Sequence, residues 1–107
     1  MTRSWIAILL LSCLAVPAEA QDDADILAGK ALVEANCAPC HGIGVADGSP
    51  HPDAPELRTL HEKYPLEDLE EAFAEGVWTG HPDMPEFQTS PRQITEIIAY
   101  IASISAR

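Results

Sequence analysis

The pentapeptide Cys37-Ala38-Pro39-Cys40-His41 constrains this chain more than any other feature of it. Two thiols three positions apart, followed at once by an imidazole, concentrate three strong ligands in one turn of chain. Such a grouping serves three chemistries: a thiol–disulfide redox pair, half of a zinc site, or attachment of a haem through both sulfurs. The rest of the sequence has to choose between them.

A zinc site built on one cysteine pair calls for a second pair, and Cys13 is the only other cysteine. A thiol redox centre expects a strand before its helix and makes no demand for histidine at the next position. Here a helical pattern leads into the motif, and the histidine is present. Haem attachment accounts for all of it. Two thiols add across the two vinyl groups of the porphyrin as thioethers. The two intervening residues let both sulfurs reach one porphyrin edge. The next residue then brings its imidazole under the iron as proximal ligand.

Residues 1–20 have the layout of a secretory signal peptide: Arg3, an apolar run over 5–16, then Ala18-Glu19-Ala20 as a small-x-small cleavage site. The run falls short of the roughly 20 apolar residues that span a bilayer, so an uncleaved anchor is the weaker reading. Leu10-Leu11-Ser12-Cys13 faintly resembles a lipoprotein site, but cleavage there would leave very little apolar sequence ahead of the cysteine. Cleavage after Ala20 is expected, discarding Cys13. The mature chain is then residues 21–107, 87 residues forming one domain. An exported chain meets an oxidising compartment, here expected to be the periplasm, where Cys37 and Cys40 must be oxidised, metal-bound or otherwise consumed.

The charge points the same way. The full chain carries −11, and loss of Arg3 and Glu19 leaves that value unchanged. Nucleic acid, which needs a basic face, is excluded as a natural partner. An acidic surface favours encounter with basic protein patches, or simply keeps the chain soluble.

Three helices are expected. The first covers 23–35, with Ile26, Gly29 and Val33 on one face and Asp22, Asp23 and Asp25 at its N-terminal end, where carboxylates suit the helix dipole. The second covers 66–75, with an apolar stripe of Leu66, Leu69 and Phe73. Its acidic residues Glu67, Asp68, Glu70, Glu71 and Glu75 read most simply as a solvated face, with docking the weaker reading, and Gly76 is a natural end. The third starts at Ser90-Pro91-Arg92-Gln93, a capping box with proline at the first helical position. It continues through Ile94, Ile97, Ile98 and Ile101. No strand is expected.

Residues 42–65 hold Pro50, Pro52 and Pro55 with Gly42, Gly44 and Gly48, and read as one long irregular stretch. A loop of that length needs something to pack on. The mature chain offers few aromatics (Tyr64, Phe73, Trp78, Phe87 and Tyr100), and a domain this small rarely builds a sufficient core unaided. Both points call for a large non-protein group at the centre.

A second iron ligand follows by elimination. Met84 is the one methionine of the mature chain, 43 residues after His41, in Gly80-His81-Pro82-Asp83-Met84-Pro85. The prolines stiffen that loop, and its polar surroundings are unlike those of core filler. A thioether favours the reduced iron and raises the potential. His81 is the main rival ligand, with His51 and His61 more remote ones.

With these residues in hand, the chain resembles the class I cytochromes c in their short bacterial monohaem form, over essentially the whole mature chain. Gly29 and Val33 stand eight and four residues before Cys37, as in that family, although an aromatic is common where Val33 lies. Ile97, Tyr100 and Ile101 match its C-terminal helix, and Met84, Pro85 and Phe87 match its distal Met-Pro-x-aromatic loop. The resemblance implies an all-α cytochrome c fold, with terminal helices crossing at the glycine and loops wrapped around one covalent haem c. It implies a proline carbonyl holding the Nδ1–H of His41; Pro55 is the best match, with Pro50 and Pro52 open. Trp78 and Tyr64 become either propionate donors or plain core aromatics. The function implied is electron transfer, not enzyme catalysis: Cys37 and Cys40 attach the haem, and His41 and Met84 bind its iron. The partners implied are redox proteins with basic docking surfaces, either a respiratory complex or a periplasmic dehydrogenase.

Overall fold

The computed structural model describes residues 10–15, 17–75 and 82–105. It contains three α-helices, α1 (Ala18–Asn36), α2 (Leu66–Ala74) and α3 (Pro91–Ile104), and a 3₁₀ helix at Leu57–Glu62. No strand occurs among the described residues, so the expected all-α class holds. No described helix is long and apolar enough to cross a membrane.

Local chemistry explains where these elements start. The capping box of α3 forms as read. Ser90 Oγ accepts the Gln93 N–H at 3.2 Å, and Gln93 Oε1 accepts the Ser90 N–H at 3.1 Å. Thr89 Oγ1 also donates to Gln93 Oε1, at 2.7 Å. The second helix lies within one residue of its expected end. Gly76 falls outside the described residues.

Two expectations need correction. Helix α1 begins at Ala18, not at residue 23, because Ala18-Glu19-Ala20-Gln21 are good helix formers following Pro17. Asp22, Asp23 and Asp25 therefore lie inside the helix of the full chain rather than in its first turn. The stretch 42–65 is also less irregular than it reads, since Leu57–Glu62 closes into 3₁₀ turns. Short 3₁₀ segments of this kind commonly serve as connectors.

The core lies where α1 crosses α3. Asp25, Gly29 and Val33 recur every four residues and form the buried face of α1. Opposite them stand Ile94, Ile97, Tyr100 and Ile101 of α3, with Leu57 joining from the 3₁₀ helix. Val33, Ile97 and Ile101 are fully buried, and each such side chain contributes about 1.5–3 kcal/mol relative to exposure. Ile98, expected in the stripe, is only half-buried. A Cβ built at Gly29 would overlap the backbone carbonyl of Glu96 and press on Tyr100 Cβ at 3.0 Å. Glycine is thus required here by close helix approach.

One end of the crossing is clamped by charge. Asp25, almost fully buried, accepts from Arg92 Nη2 and from Gln21 Nε2 (3.0 Å). Arg92 Nε also donates to Glu96 Oε1 at 3.1 Å. The buried carboxylate is thereby paired and hydrogen-bonded, the condition under which such a group is tolerated. Helix α2 buries no residue fully. It lays Leu66 and Phe73 against the core and leaves Glu67, Asp68, Glu70 and Glu71 in solvent, as expected.

Replacing Gly29 with alanine should force the two helices apart. The expected outcome is a loss of about 1–3 kcal/mol or more, as overpacked cores typically show. Thermal unfolding of the haem-loaded protein checks it, with Ala28→Ser, at a half-buried neighbouring position, as a milder control.

Candidate functional site

The motif is delivered by the end of α1. Cys37 is the C-cap residue and donates its N–H to Val33 C=O at 2.8 Å. The chain then keeps turning: Cys40 N–H and His41 N–H both bond Cys37 C=O, at 3.1 and 2.8 Å. Thiols three residues apart on a helical turn share one side of it. Both are free and half-buried. Burial pushes the Cys37 thiol up from its ordinary range. A redox-active C-x-x-C needs the opposite, a thiol of lowered pKa, so the thiol-redox reading loses support.

His41 is oriented from behind. Its Nδ1 lies 2.7 Å from the carbonyl oxygen of Pro55. A carbonyl only accepts, so Nδ1 carries the proton and the lone pair is left on Nε2, the tautomer an iron ligand requires. This settles the choice among the three prolines in favour of Pro55.

Residues 42–58 hold Pro55 in place. Gly42, buried, donates its N–H to Ser49 Oγ (3.0 Å) and accepts from Leu57 N–H (2.9 Å). A Cβ there would overlap the Asp47 carbonyl. Arg58 Nη1 donates to that same carbonyl at 2.7 Å. Tyr100 reaches across from α3 and donates its hydroxyl to Ile43 C=O at 2.6 Å. Burial first, then the nearby negative charges of Glu34 and Asp47, push the Tyr100 phenol up, which keeps it a donor.

Met84 lies half-buried in the 82–90 segment, which is tied to the motif side of the molecule. Asp83, its neighbour, bonds His51 Nε2 at 3.1 Å, and His51 N–H bonds Cys40 C=O at 3.1 Å. His51 Nδ1 accepts the Asp53 N–H at 3.1 Å. Both ring nitrogens of His51 are therefore engaged, which counts against it as a rival ligand. His61 keeps a buried Nδ1 with no partner among the described residues. His81 and Trp78 lie outside the described residues. Tyr64 is exposed.

The donor set fits a covalently held haem: two thiols on one turn, then an imidazole with its lone pair freed by a fixed Nδ1–H. Leu60, Leu66, Phe73 and Phe87 are packed on the core yet only half covered, apolar surface suited to a large planar group. Phe73 and Phe87 meet edge to face, 6.4 Å between centroids and 83° between planes. The contacts of Asp25 with Arg92, of Tyr100 with Ile43 and of His51 with Asp83 were missed by sequence reasoning, which carries no local signal for any of them.

Tyr100→Phe should remove the tie to Ile43 at a cost of about 1 kcal/mol near neutral pH. Because the folded-state pKa of Tyr100 is raised, its contribution is complete below the unfolded value of about 10 and is lost as pH rises through the folded value. The difference in stability between wild type and variant should therefore shrink above about pH 10. Urea unfolding at a series of pH values measures it.

Compared with known families, residues 26–105 match the family model described as cytochrome c. No curated protein and no solved structure matches the chain.

Proposed function

The chain belongs to the cytochrome c family and carries one covalently attached haem c, and from that premise we propose that it is a periplasmic one-electron carrier whose iron is held by His41 and Met84. The haem supplies the Fe(III)/Fe(II) couple. Cys37 and Cys40 anchor it as thioethers at the end of α1. Pro55 C=O engages the His41 Nδ1–H, which would leave Nε2 to hold the iron. Met84 contributes the thioether that favours reduced iron and so raises the potential.

The observation that carries this reading is the 2.7 Å contact of His41 Nδ1 with Pro55 C=O, next to two half-buried free thiols. A histidine so fixed is built to be a ligand. With His41 and Met84 both holding the iron, substrate would have no place to bind it. The protein would then be an electron carrier rather than an enzyme, with the haem supplying one-electron chemistry. Residues 1–20 serve as a cleaved signal peptide, which brings the chain to the compartment where haem c is attached and leaves residues 21–107 as the working domain.

Partners are redox proteins with basic docking surfaces, a respiratory complex or a periplasmic dehydrogenase. The net charge of −11 steers such encounters at low salt. The complexes are short-lived, as turnover of a carrier demands.

The first test is the reduced absorption spectrum of protein matured with its leader in a haem-c-maturing host, with and without carbon monoxide. A low-spin spectrum indifferent to carbon monoxide is expected. A spectrum that shifts readily would overturn the carrier reading in favour of an open-site sensor or enzyme. Met84→Ala should lower the potential and open the iron to carbon monoxide. An unchanged spectrum and potential in that variant would remove Met84 from the iron.

A further inference from the structure

We propose that His51 and Asp83 form a latch that holds the Met84 loop against the haem-attachment segment and thereby controls how readily Met84 leaves the iron. The proposal rests on the reading of Met84 as the second axial ligand.

The latch is built from both sides. His51 is fixed to the motif segment by its backbone, N–H to Cys40 C=O at 3.1 Å, and its own C=O accepts the Ala54 N–H at 3.2 Å. The ring is fixed as well. The Asp53 N–H points at Nδ1 (3.1 Å), which makes Nδ1 an acceptor and puts the ring proton on Nε2. Nε2–H then donates to Asp83 Oδ2 at 3.1 Å, 32 residues along the chain. The neutral imidazole suffices, so the tie needs no protonation of His51. Asp83 is bonded directly to Met84 in sequence, and Pro82 and Pro85 restrict the backbone on either side. A tether at Asp83 is thereby transmitted to Met84 instead of being absorbed by a flexible backbone.

The arrangement differs from a generic surface contact in what it connects. One end is hydrogen-bonded to Cys40, one of the two residues assigned to haem attachment, and the other adjoins the residue assigned to the iron. For Met84 to swing away, Asp83 must move with it and lose its acceptor role. His51 is three-quarters covered and so pre-placed, whereas Asp83 is largely exposed, with 65% of its side-chain surface open. The exposure bounds the effect. A partly exposed hydrogen bond of this kind contributes about 0.5–1 kcal/mol net, so loss of the latch should speed methionine departure by about two- to fivefold.

The test uses the mature haem-loaded protein in the oxidised state. Cyanide is added in large excess, so that its binding rate is limited by departure of Met84. His51→Leu and Asp83→Ala are each expected to raise this limiting rate about two- to fivefold, and the double variant by less than the product of the two, because both changes break the shared contact. His51→Gln keeps an Nε2–H donor and should stay near the wild-type rate; this rescue separates a latch from a merely structural histidine. Met84→Ala should bind cyanide without the limiting step. If it does while His51→Leu and Asp83→Ala keep the wild-type rate, the latch alone is overturned, as it is if His51→Gln behaves like His51→Leu. If Met84→Ala binds cyanide just as the wild type does, the ligand assignment fails and the latch fails with it.

Discussion

The separation between α1 and α3 is set at Gly29, where the absence of a side chain lets the Glu96 carbonyl lie against the α1 backbone. Most of the structure depends on that distance. Val33, one turn on, is buried among Ile97, Tyr100 and Ile101 only because the helices are this close. Cys37 lies one turn beyond Val33 and takes its position from the same helix. Tyr100 can reach Ile43 because α3 lies near enough to α1 for a phenol to span the gap. A glycine with no chemistry of its own therefore fixes where the Cys37–His41 turn begins. The Asp25–Arg92 pair holds the open end of the same crossing, so that the helices are gripped by packing at one level and by charge at another.

The loop that follows the motif has little regular secondary structure and is nonetheless specified. Gly42 uses both backbone polar groups, toward Ser49 and Leu57, and so closes residues 42–57 into a ring. Arg58 clamps the Asp47 carbonyl, and the 3₁₀ helix anchors the far side through buried Leu57. Pro55 sits inside this ring with no N–H to satisfy, and its carbonyl accepts the His41 Nδ1–H. Burying an irregular segment requires that its backbone groups find partners, and here those partners also aim the imidazole.

What was legible in the sequence was local. The C-x-x-C-H turn, the Ser90–Gln93 box, the α1 face of Gly29 and Val33 and the Ile stripe of α3 are each decided within a turn or two of chain. The Asp25–Arg92, Tyr100–Ile43 and His51–Asp83 contacts join residues 67, 57 and 32 positions apart, and only the completed topology brings them together. Asp25 is instructive. As one of several acidic residues near an expected helix start it reads as a dipole partner, whereas its place four residues before Gly29 puts it on the buried face. The start of α1 was misplaced for a related reason: Ala18-Glu19-Ala20 reads first as a processing site, which hides that the same residues are strong helix formers.

On the proposed reading, an electron carrier must change oxidation state without rearranging its ligands, and the two axial residues meet that demand by different means. His41 is held by one good hydrogen bond to a proline carbonyl inside a closed ring of backbone contacts. Met84 has a thioether that no strong hydrogen bond can steer, so its placement falls to its backbone, stiffened by Pro82 and Pro85 and fastened at Asp83 to His51. The acidic residues of α2 take no part in the hydrogen bonds described for either residue and stand on a helix that buries nothing fully. Charge that keeps the chain soluble is thus carried without loosening the residues proposed to hold the iron.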